Sequence, residues 1–307
     1  MNKITIIGSI NLDTTVRTQQ LPKPGETVHS KELFTSGGGK GANQAIAAAR
    51  NDAKVNFIGA VGKDSNGEMM LDLLQQDGIC LEGVAKIENA RSGSAYVLVE
   101  DSGENSIIIY GGANQLIEET QVVTHRDLIE SSDFLVAQFE TNLSSVLTAF
   151  EIAKESDVIT VLNPAPARED IPKELIALTD IMIPNETELE TITGITINSQ
   201  TDLLTAIAKV HELGVQTVIV TLGSKGAFYS IKNGKSGAIP AFKVTAVDTT
   251  AAGDTFIGAM VTKLQRNLLN IEEAIVYGSK ASSLTVQRYG AQPAIPYSHE
   301  LLAEATN

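Results

Sequence analysis

The sequence predicts an α/β protein, with all of residues 1–307 in one domain: a central, mostly parallel sheet flanked by helices, carrying a small β-sheet lid. Two observations support the main body. Strands and helices alternate through the middle of the chain, and polar residues stand directly after several of those strands. The lid follows from a third, a set of short exposed-strand segments near the N-terminus.

Lys3–Ser9 is a short Ile-rich run closed by Gly8 and the polar cluster Asn11–Thr15, the pattern of a buried strand. From Thr14 to Thr35 the chain is cut into short polar and apolar pieces by Pro22, Pro24 and Gly25, which suits exposed strands rather than core. Ser92–Glu100 and Asn105–Gly111 read as two more strands around the turn sequence DSGEN. The lid is therefore expected at about 14–35 and 92–111. Further on, DFLVAQF precedes an amphipathic helix from about Ser144. DVITVLN, then DIMIPN with ETELETITG, then Gln200–Leu213 before TVIVTLG continue the alternation. Repeated β-then-α order predicts a parallel sheet covered by helices, and strand ends on such sheets carry ligand residues. Asn11, Asp13, Glu140, Asn163, Asn185, Glu188 and Thr221 all follow strands.

Lys and Arg total 23 against 37 Asp and Glu, a formal net charge of -14. Such a surface repels nucleic-acid phosphate and anionic lipid, so neither is expected as a partner and any bound phosphate must be gripped locally. No apolar run approaches the roughly 18 residues that span a bilayer. The N-terminus lacks a charged segment followed by a long apolar one, and the single Cys80 cannot form an intramolecular disulfide, which together point to the cytoplasm. His29, His125, His211 and His299 lie far apart with no metal-ligand spacing and are expected to be structural.

Two segments carry chemistry. Ser36–Asn43, SGGGKGAN, precedes the Ala-rich QAIAAAR, so its glycines can bring backbone amides close to a ligand at a helix N-terminus. The same composition fits a flexible turn. Its spacing is not that of a P-loop, and no GxGxxG follows the first strand, which disfavours a nicotinamide-binding oxidoreductase. Val247–Val261, VDTTAAGDTFIGAMV, leads from a small-residue turn into an amphipathic helix with Phe256 and Met260. There Ala251, Ala252 and Gly253 would present nearly bare amides where charge develops on a transferring phosphoryl group. Asp254 beside them can take a proton from an attacking hydroxyl, or can simply be an acidic residue favoured by the helix dipole.

GGKGANQA, NETE, TLGSKG and DTTAAGD, in this order, resemble the ribokinase family of carbohydrate kinases, and the likeness runs from Ile10 to Gly290. It implies an ATP-dependent sugar kinase, with D-ribose phosphorylated at its 5-hydroxyl, and a fold with a β-sheet lid over the sugar. By matching motif, Asn11, Asp13, Gly39, Lys40, Gly41, Ala42, Asn43, Glu140 and Asp254 resemble the sugar-binding set, with Asp254 the catalytic base and Ala251, Ala252 and Gly253 its anion hole. Asn185, Thr221, Leu222, Gly223, Ser224, Lys225, Gly226, Gly253 and Ser279 correspond to the ATP site, and Glu188 to a Mg²⁺ position acting through water. Asp248, Thr250, Thr285, Arg288 and Gly290 match a K⁺ site, where a sixth position, often Ser, is Ala294. The family also implies a homodimer formed through the lids. Asp52 stands where the family usually has Gly or Ser, which predicts a local turn difference. Other expectations stay open: a different free sugar, a sugar phosphate or a nucleoside as acceptor, or a non-catalytic sugar or nucleotide sensor. Lid residues such as Lys31 or Arg91 are the candidate partners for a second phosphate.

Overall fold

A computed structural model of the chain describes residues 1–102 and 105–303. Its strands are β1 (Lys3–Ile7), β2 (Asn11–Thr18), β3 (Glu32–Gly38), β4 (Lys54–Gly62), β5 (Cys80–Ile87), β6 (Gly93–Glu100), β7 (Asn105–Tyr110), β8 (Phe134–Ala137), β9 (Ile159–Leu162), β10 (Ile181–Met182), β11 (Thr217–Thr221), β12 (Ala227–Ile231) and β13 (Ser236–Ile239). Nine of them make one sheet in the order β13-β12-β11-β10-β9-β8-β1-β4-β5. It is parallel except where β12 and β13 extend it antiparallel beyond β11. The other four make the lid sheet, β3-β2-β6-β7, in which β2 runs parallel to β6. Of the DSGEN turn expected between the last two lid strands, Gly103 and Glu104 lie outside the described residues.

The central strands are mostly apolar on both faces, with a few buried polar residues such as Thr5, Asn56 and Thr160, because both faces are covered. Ile4 and Ile6 of β1 enter one core, and Ile7 enters the other. Phe134 and Val136 of β8 likewise oppose Leu135 and Ala137. Period-two alternation with apolar residues in both registers is what a parallel sheet between two helical layers requires. The lid lacks such cover, and Ile107, Ile108 and Ile109 of β7 remain more than half exposed. No helix among the described residues is long and apolar enough to cross a membrane.

Two expected boundaries differ in an informative way. The SGGGKGAN segment is no free loop: β3 runs through Gly38, Gly39 caps, and the Lys40–Arg50 helix has already begun. The helix predicted as amphipathic, Ala252–Lys263, is buried from Asp254 through Thr262. It lies between the Lys40–Arg50 and Ile271–Thr285 helices, so solvent reaches almost none of it. Glycines make that packing possible. A Cβ on Gly258 would stand 2.4 Å from the Gln44 carbonyl oxygen and 2.7 Å from Ala47 Cβ, and one on Gly278 2.6 Å from the Phe256 carbonyl oxygen.

Asp52 has φ 75°, the left-handed region that Gly enters freely and Asp tolerates better than most residues. Its carboxylate accepts from Ser298 Oγ at 3.0 Å and lies 3.6 Å from the Lys263 ammonium. His125 and His211 are held in main-chain hydrogen bonds, to the Gln121 and Val215 carbonyls.

Gly258→Ala should cost about 1–3 kcal/mol by overpacking, because the methyl meets backbone rather than a movable side chain. Urea denaturation should show a lower midpoint with unchanged slope. An unchanged midpoint would mean that the two helices separate freely.

Candidate active site

β1 and β8 end beside each other in the sheet, and the chain leaving each supplies one wall of a polar pocket. After β1, Asn11 and Asp13 open β2. After β8, Glu140 accepts from the Lys40 amide at 3.0 Å and from the Ser9 hydroxyl. Asn114, itself buried, takes the Ile10 amide at 2.9 Å and donates to Asn11 Oδ1 at 2.8 Å, which leaves the Asn11 amide nitrogen facing outward from that pair. Gly38 must be glycine here, since a Cβ would lie 2.1 Å from an Asp13 carboxylate oxygen. Gly39, at φ 89°, turns the chain into the Lys40–Arg50 helix with its backbone against Asn11.

Asp13 Oδ1 and Asn43 Oδ1 are buried acceptors without a protein donor. Buried acceptors are normally satisfied, and a polyhydroxyl ligand brings the donors these two lack. Burial first, then the charges of Glu140 and Asp254, push the Asp13 carboxyl up to about 7. Lys40 balances the group. Burial works against its charge, but Asp254, Glu140 and Glu188 together hold the ammonium above its ordinary range. Its side chain borders the cavity of Asn185, Glu188 and Gly253 rather than the one lined by Asp13.

Asp254 stands in the first turn of the Ala252–Lys263 helix, 7% exposed. Its two carboxylate oxygens accept from Asn43 Nδ2 and Gln44 Nε2, each at 3.0 Å. The helix cap, Ala251, has φ 60° and ψ 9°, a strained conformation for a residue with a Cβ, held where the amides must aim into the cavity. Of the three amides expected bare, that of Ala252 is not, because it donates to the Thr249 carbonyl at 3.2 Å. Those of Ala251 and Gly253 meet no backbone carbonyl among the described residues. A Cβ on Gly253 would meet nothing within 4 Å, so its space belongs to the cavity.

On the far side of that helix start, Asn185 caps the Glu186–Thr193 helix in a reciprocal box. Its Oδ1 accepts the Glu188 amide at 2.8 Å, while its own amide and Nδ2 donate to the two Glu188 oxygens, each at 2.9 Å. Glu188 is therefore buried, not a solvated helix residue, and burial raises its carboxyl. Next to it opens a second cavity of about 510 Å³, bordered by Thr221, Gly223, Ser224, Gly226, Gly253 and Ser279. Leu222 and Lys225 do not border it. Leu222 packs on the core, and Lys225 pairs with Glu186 at 3.3 Å. Apolar walls that sequence reasoning missed, Phe242, Val244 and Val286, close it. The first two lie in a stretch without regular secondary structure, where no periodicity could announce them.

Asp248, Thr250 and Gly290 come together. Asp248 Oδ1 accepts from the Thr250 amide at 2.9 Å and hydroxyl at 2.6 Å, and Oδ2 accepts from the Gly290 amide at 2.9 Å. Burial raises this carboxyl, but the Thr250 and Gly290 donors and the Arg17 charge outweigh it and hold it below the usual range. Thr285 and Arg288 turn their side chains elsewhere, to the Ala281 carbonyl and Glu300, and the Thr285 carbonyl already accepts from the Arg288 amide at 3.1 Å. Arg17 itself was missed from sequence. It lines the Asp13 cavity and stacks 5.0 Å over the Tyr289 ring.

A buried carboxylate at a helix start, lining a cavity with unpaired amides beside it, with Gly253 shared between that cavity and the larger one of Ser279, suits the transfer of a phosphoryl group between two bound ligands. The chain belongs to the pfkB family of carbohydrate kinases: the family model described as "pfkB family carbohydrate kinase" matches residues 1–297. It is similar to the ribokinase of Staphylococcus aureus, 44% identical over 301 residues covering 98% of each chain. Similarity to the ribokinase of Haemophilus influenzae is also 44%, over 299 residues and 97% of each. Among solved structures, Arabidopsis thaliana ribokinase complexed with ribose and ATP superposes with TM-score 0.93 at 33% identity, over 100% of this chain and 99% of that one.

The raised Asp13 carboxyl has a stability consequence. Between its unfolded value near 4 and about 7 the folded state binds the extra proton, so this group makes stability fall as pH rises through that window. Asp13→Asn should therefore be more stable than the parent at pH 8, with the difference vanishing toward pH 4, while losing affinity for sugar. Thermal melts across pH test this, and a variant less stable at pH 8 would contradict it.

Proposed function

We propose that this chain is an ATP-dependent kinase that transfers the γ-phosphoryl group of ATP to the 5-hydroxyl of D-ribose. The observation that carries the reading is Asp254, buried on the cavity of Lys40, Asn185, Glu188 and Gly253, with Asp13 Oδ1 and Asn43 Oδ1 left as buried acceptors without a protein donor. Similarity over nearly the full chain to proteins named ribokinase, one of them described with ribose and ATP, supports the same choice of ligands.

In this reading Asn11, Asp13, Gly39, Gly41, Ala42, Asn43 and Glu140 hold the sugar. The 5-hydroxyl oxygen attacks the γ-phosphorus, its proton passes to Asp254, and the bond to the β,γ-bridging oxygen breaks, releasing ADP. The Ala251 and Gly253 amides and the Lys40 ammonium meet the charge that develops on the phosphoryl oxygens. ATP occupies the cavity from Asn185 to Ser279, whose apolar walls suit a base and whose size is that of a cofactor site. Mg²⁺ would add positive charge against the phosphates. Both Glu188 oxygens already accept from Asn185, so this residue fits a hold on the ion's water shell rather than on the ion.

Monovalent-cation activation belongs to the same reading. The hard oxygen set of the Asp248 carboxylate, kept ionised, with the carbonyls of Thr250, Thr285, Arg288 and Gly290 fits K⁺. Ala294 adds no hydroxyl and is fully buried. A second copy of the chain is the proposed cover for the exposed apolar residues of the lid, Leu33, Tyr96 and Ile107–Tyr110.

Asp254→Asn should keep its fold and sugar binding while turnover falls by about 10² to 10⁴. Near-normal turnover would remove Asp254 as the base. Free ribose should outperform fructose 6-phosphate as acceptor, because Asp13, Glu100, Asp101 and Asp248 line the pocket against the one guanidinium of Arg17. A preference for the phosphorylated sugar would mean that Arg17 reads the second phosphate. Turnover in K⁺ should exceed turnover in tetramethylammonium at matched ionic strength, and Asp248→Ala should abolish the difference. Equal rates in the two salts would defeat the cation site.

A further inference from the structure

We propose that Gln44 is the positioning residue of Asp254, and that Gln138 and Asn163 fix which way its amide faces. The proposal rests on Asp254 being the base. None of these three residues has a role in the reading above, yet all are at least nine-tenths buried around the reacting carboxylate.

The hydrogen-bond directions follow from one backbone group. The Ile183 carbonyl can only accept, so Asn163 turns Nδ2 to it, at 3.0 Å, and turns Oδ1 toward Gln44. Asn163 Oδ1 and the Asp254 carboxylate are both acceptors, so Gln44 must present nitrogen to them. Its Nε2 donates to Asn163 Oδ1 at 3.2 Å and to Asp254 Oδ1 at 3.0 Å, using both of its hydrogens. Gln44 Oε1 then accepts from Gln138 Nε2 at 2.6 Å. Gln138 Oε1 has no partner in this buried place, where it also blocks any side chain larger than that of Gly8. Leaving such an oxygen unpaired is costly, and an apolar side chain at this position would avoid that cost. What Gln138 contributes is the donor that stops Gln44 from turning its oxygen toward Asp254. With Asn43 on the other oxygen, the carboxylate plane is clamped at both ends, and the remaining lone pairs are held in line with the acceptor hydroxyl.

Activity and pH profiles separate this clamp from mere packing. The charged groups facing Asp254 are Lys40 and Asp13 across the pocket and Glu188 from the cavity side, and all are kept in every variant. Gln44→Leu should lower kcat by about 10- to 100-fold with KM for ribose changed less than about threefold, the scale of a misplaced catalytic group. In an Asp254→Asn background the same change should cost less than about twofold, because the group it positions is gone. Gln138→Met and Gln138→Glu avoid dependence on one variant folding, and circular dichroism melts accompany all of them. At acid pH the introduced carboxyl of Gln138→Glu is protonated and still donates to Gln44, so activity is retained. As pH rises it ionises, repels Gln44 Oε1, turns the amide over, and activity falls along a limb that Gln138→Met lacks. Parallel pH profiles for the two Gln138 variants, or an undiminished effect of Gln44→Leu without the Asp254 carboxylate, would overturn the proposal. Near-normal turnover in Asp254→Asn alone would instead remove the base reading, and this one with it.

Discussion

The contact on which the site depends is made by backbone, where Gly258 lets the Ala252–Lys263 helix touch the Lys40–Arg50 helix at the level of the Gln44 carbonyl. Side chains on two helices usually hold their axes 8–10 Å apart, and a glycine facing alanines permits the low end of that range. Closeness at Gly258 sets closeness one turn earlier, where Asn43 and Gln44 reach Asp254. The small residues of the first helix that meet Gly258, Ala47 and Ala48, are thus a spacing device as much as a core, and they draw together residues more than 200 positions apart in sequence. The Ile271–Thr285 helix presses from the other side through Gly278, leaving the middle helix little freedom to shift.

Within that frame the electrostatics are crowded by design of the fold. Glu140, Glu188 and Asp254 surround one lysine, Asp13 adds a further carboxyl beside Glu140 and Asp254, and a cluster with more carboxylates than cations destabilises the folded chain. The raised Asp13 carboxyl is the local sign of that cost. Strain at Ala251 and the buried acceptors without donors are costs of the same kind, concentrated where ligands bind. Elsewhere the chain makes ordinary provision, as in the Arg50–Asp77 pair, whose guanidinium also caps the Gln292 and Ile295 carbonyls.

Much of this was legible from residue order alone, because the informative patterns are local. Ile-rich runs followed by polar residues marked the strand ends, prolines marked the exposed region of the lid, and the small-residue turn before Asp254 marked the helix start. What escaped notice depends on register between distant segments. Gln44 sits inside a recognised motif but reads as one more polar helix residue, and Gln138 reads as the tail of a strand. They meet only where the Lys40–Arg50 helix packs beside the chain leaving β8, with Gln138 Nε2 donating to Gln44 Oε1. The same holds for Arg17, whose strand was assigned but whose facing direction depends on the lid's docking, and for Phe242 and Val244, which follow no period. The Ala252–Lys263 helix was misjudged for a related reason: a helix covered on two sides tolerates Thr and Gly on faces that resemble solvent-facing ones.

β2 begins in the polar pocket at Asn11 and Asp13 and continues without interruption to Thr18 in the lid, hydrogen-bonded to β6 along its whole length. Within β2, then, no break separates the pocket residues proposed to hold a sugar from the lid sheet that continues from them. Its root and its tip are one stiff lever, so a hydroxyl gripped at Asp13 is felt mechanically several residues away. Drift in the outer lid of related chains would then alter how long a sugar stays bound without changing any atom that the sugar touches.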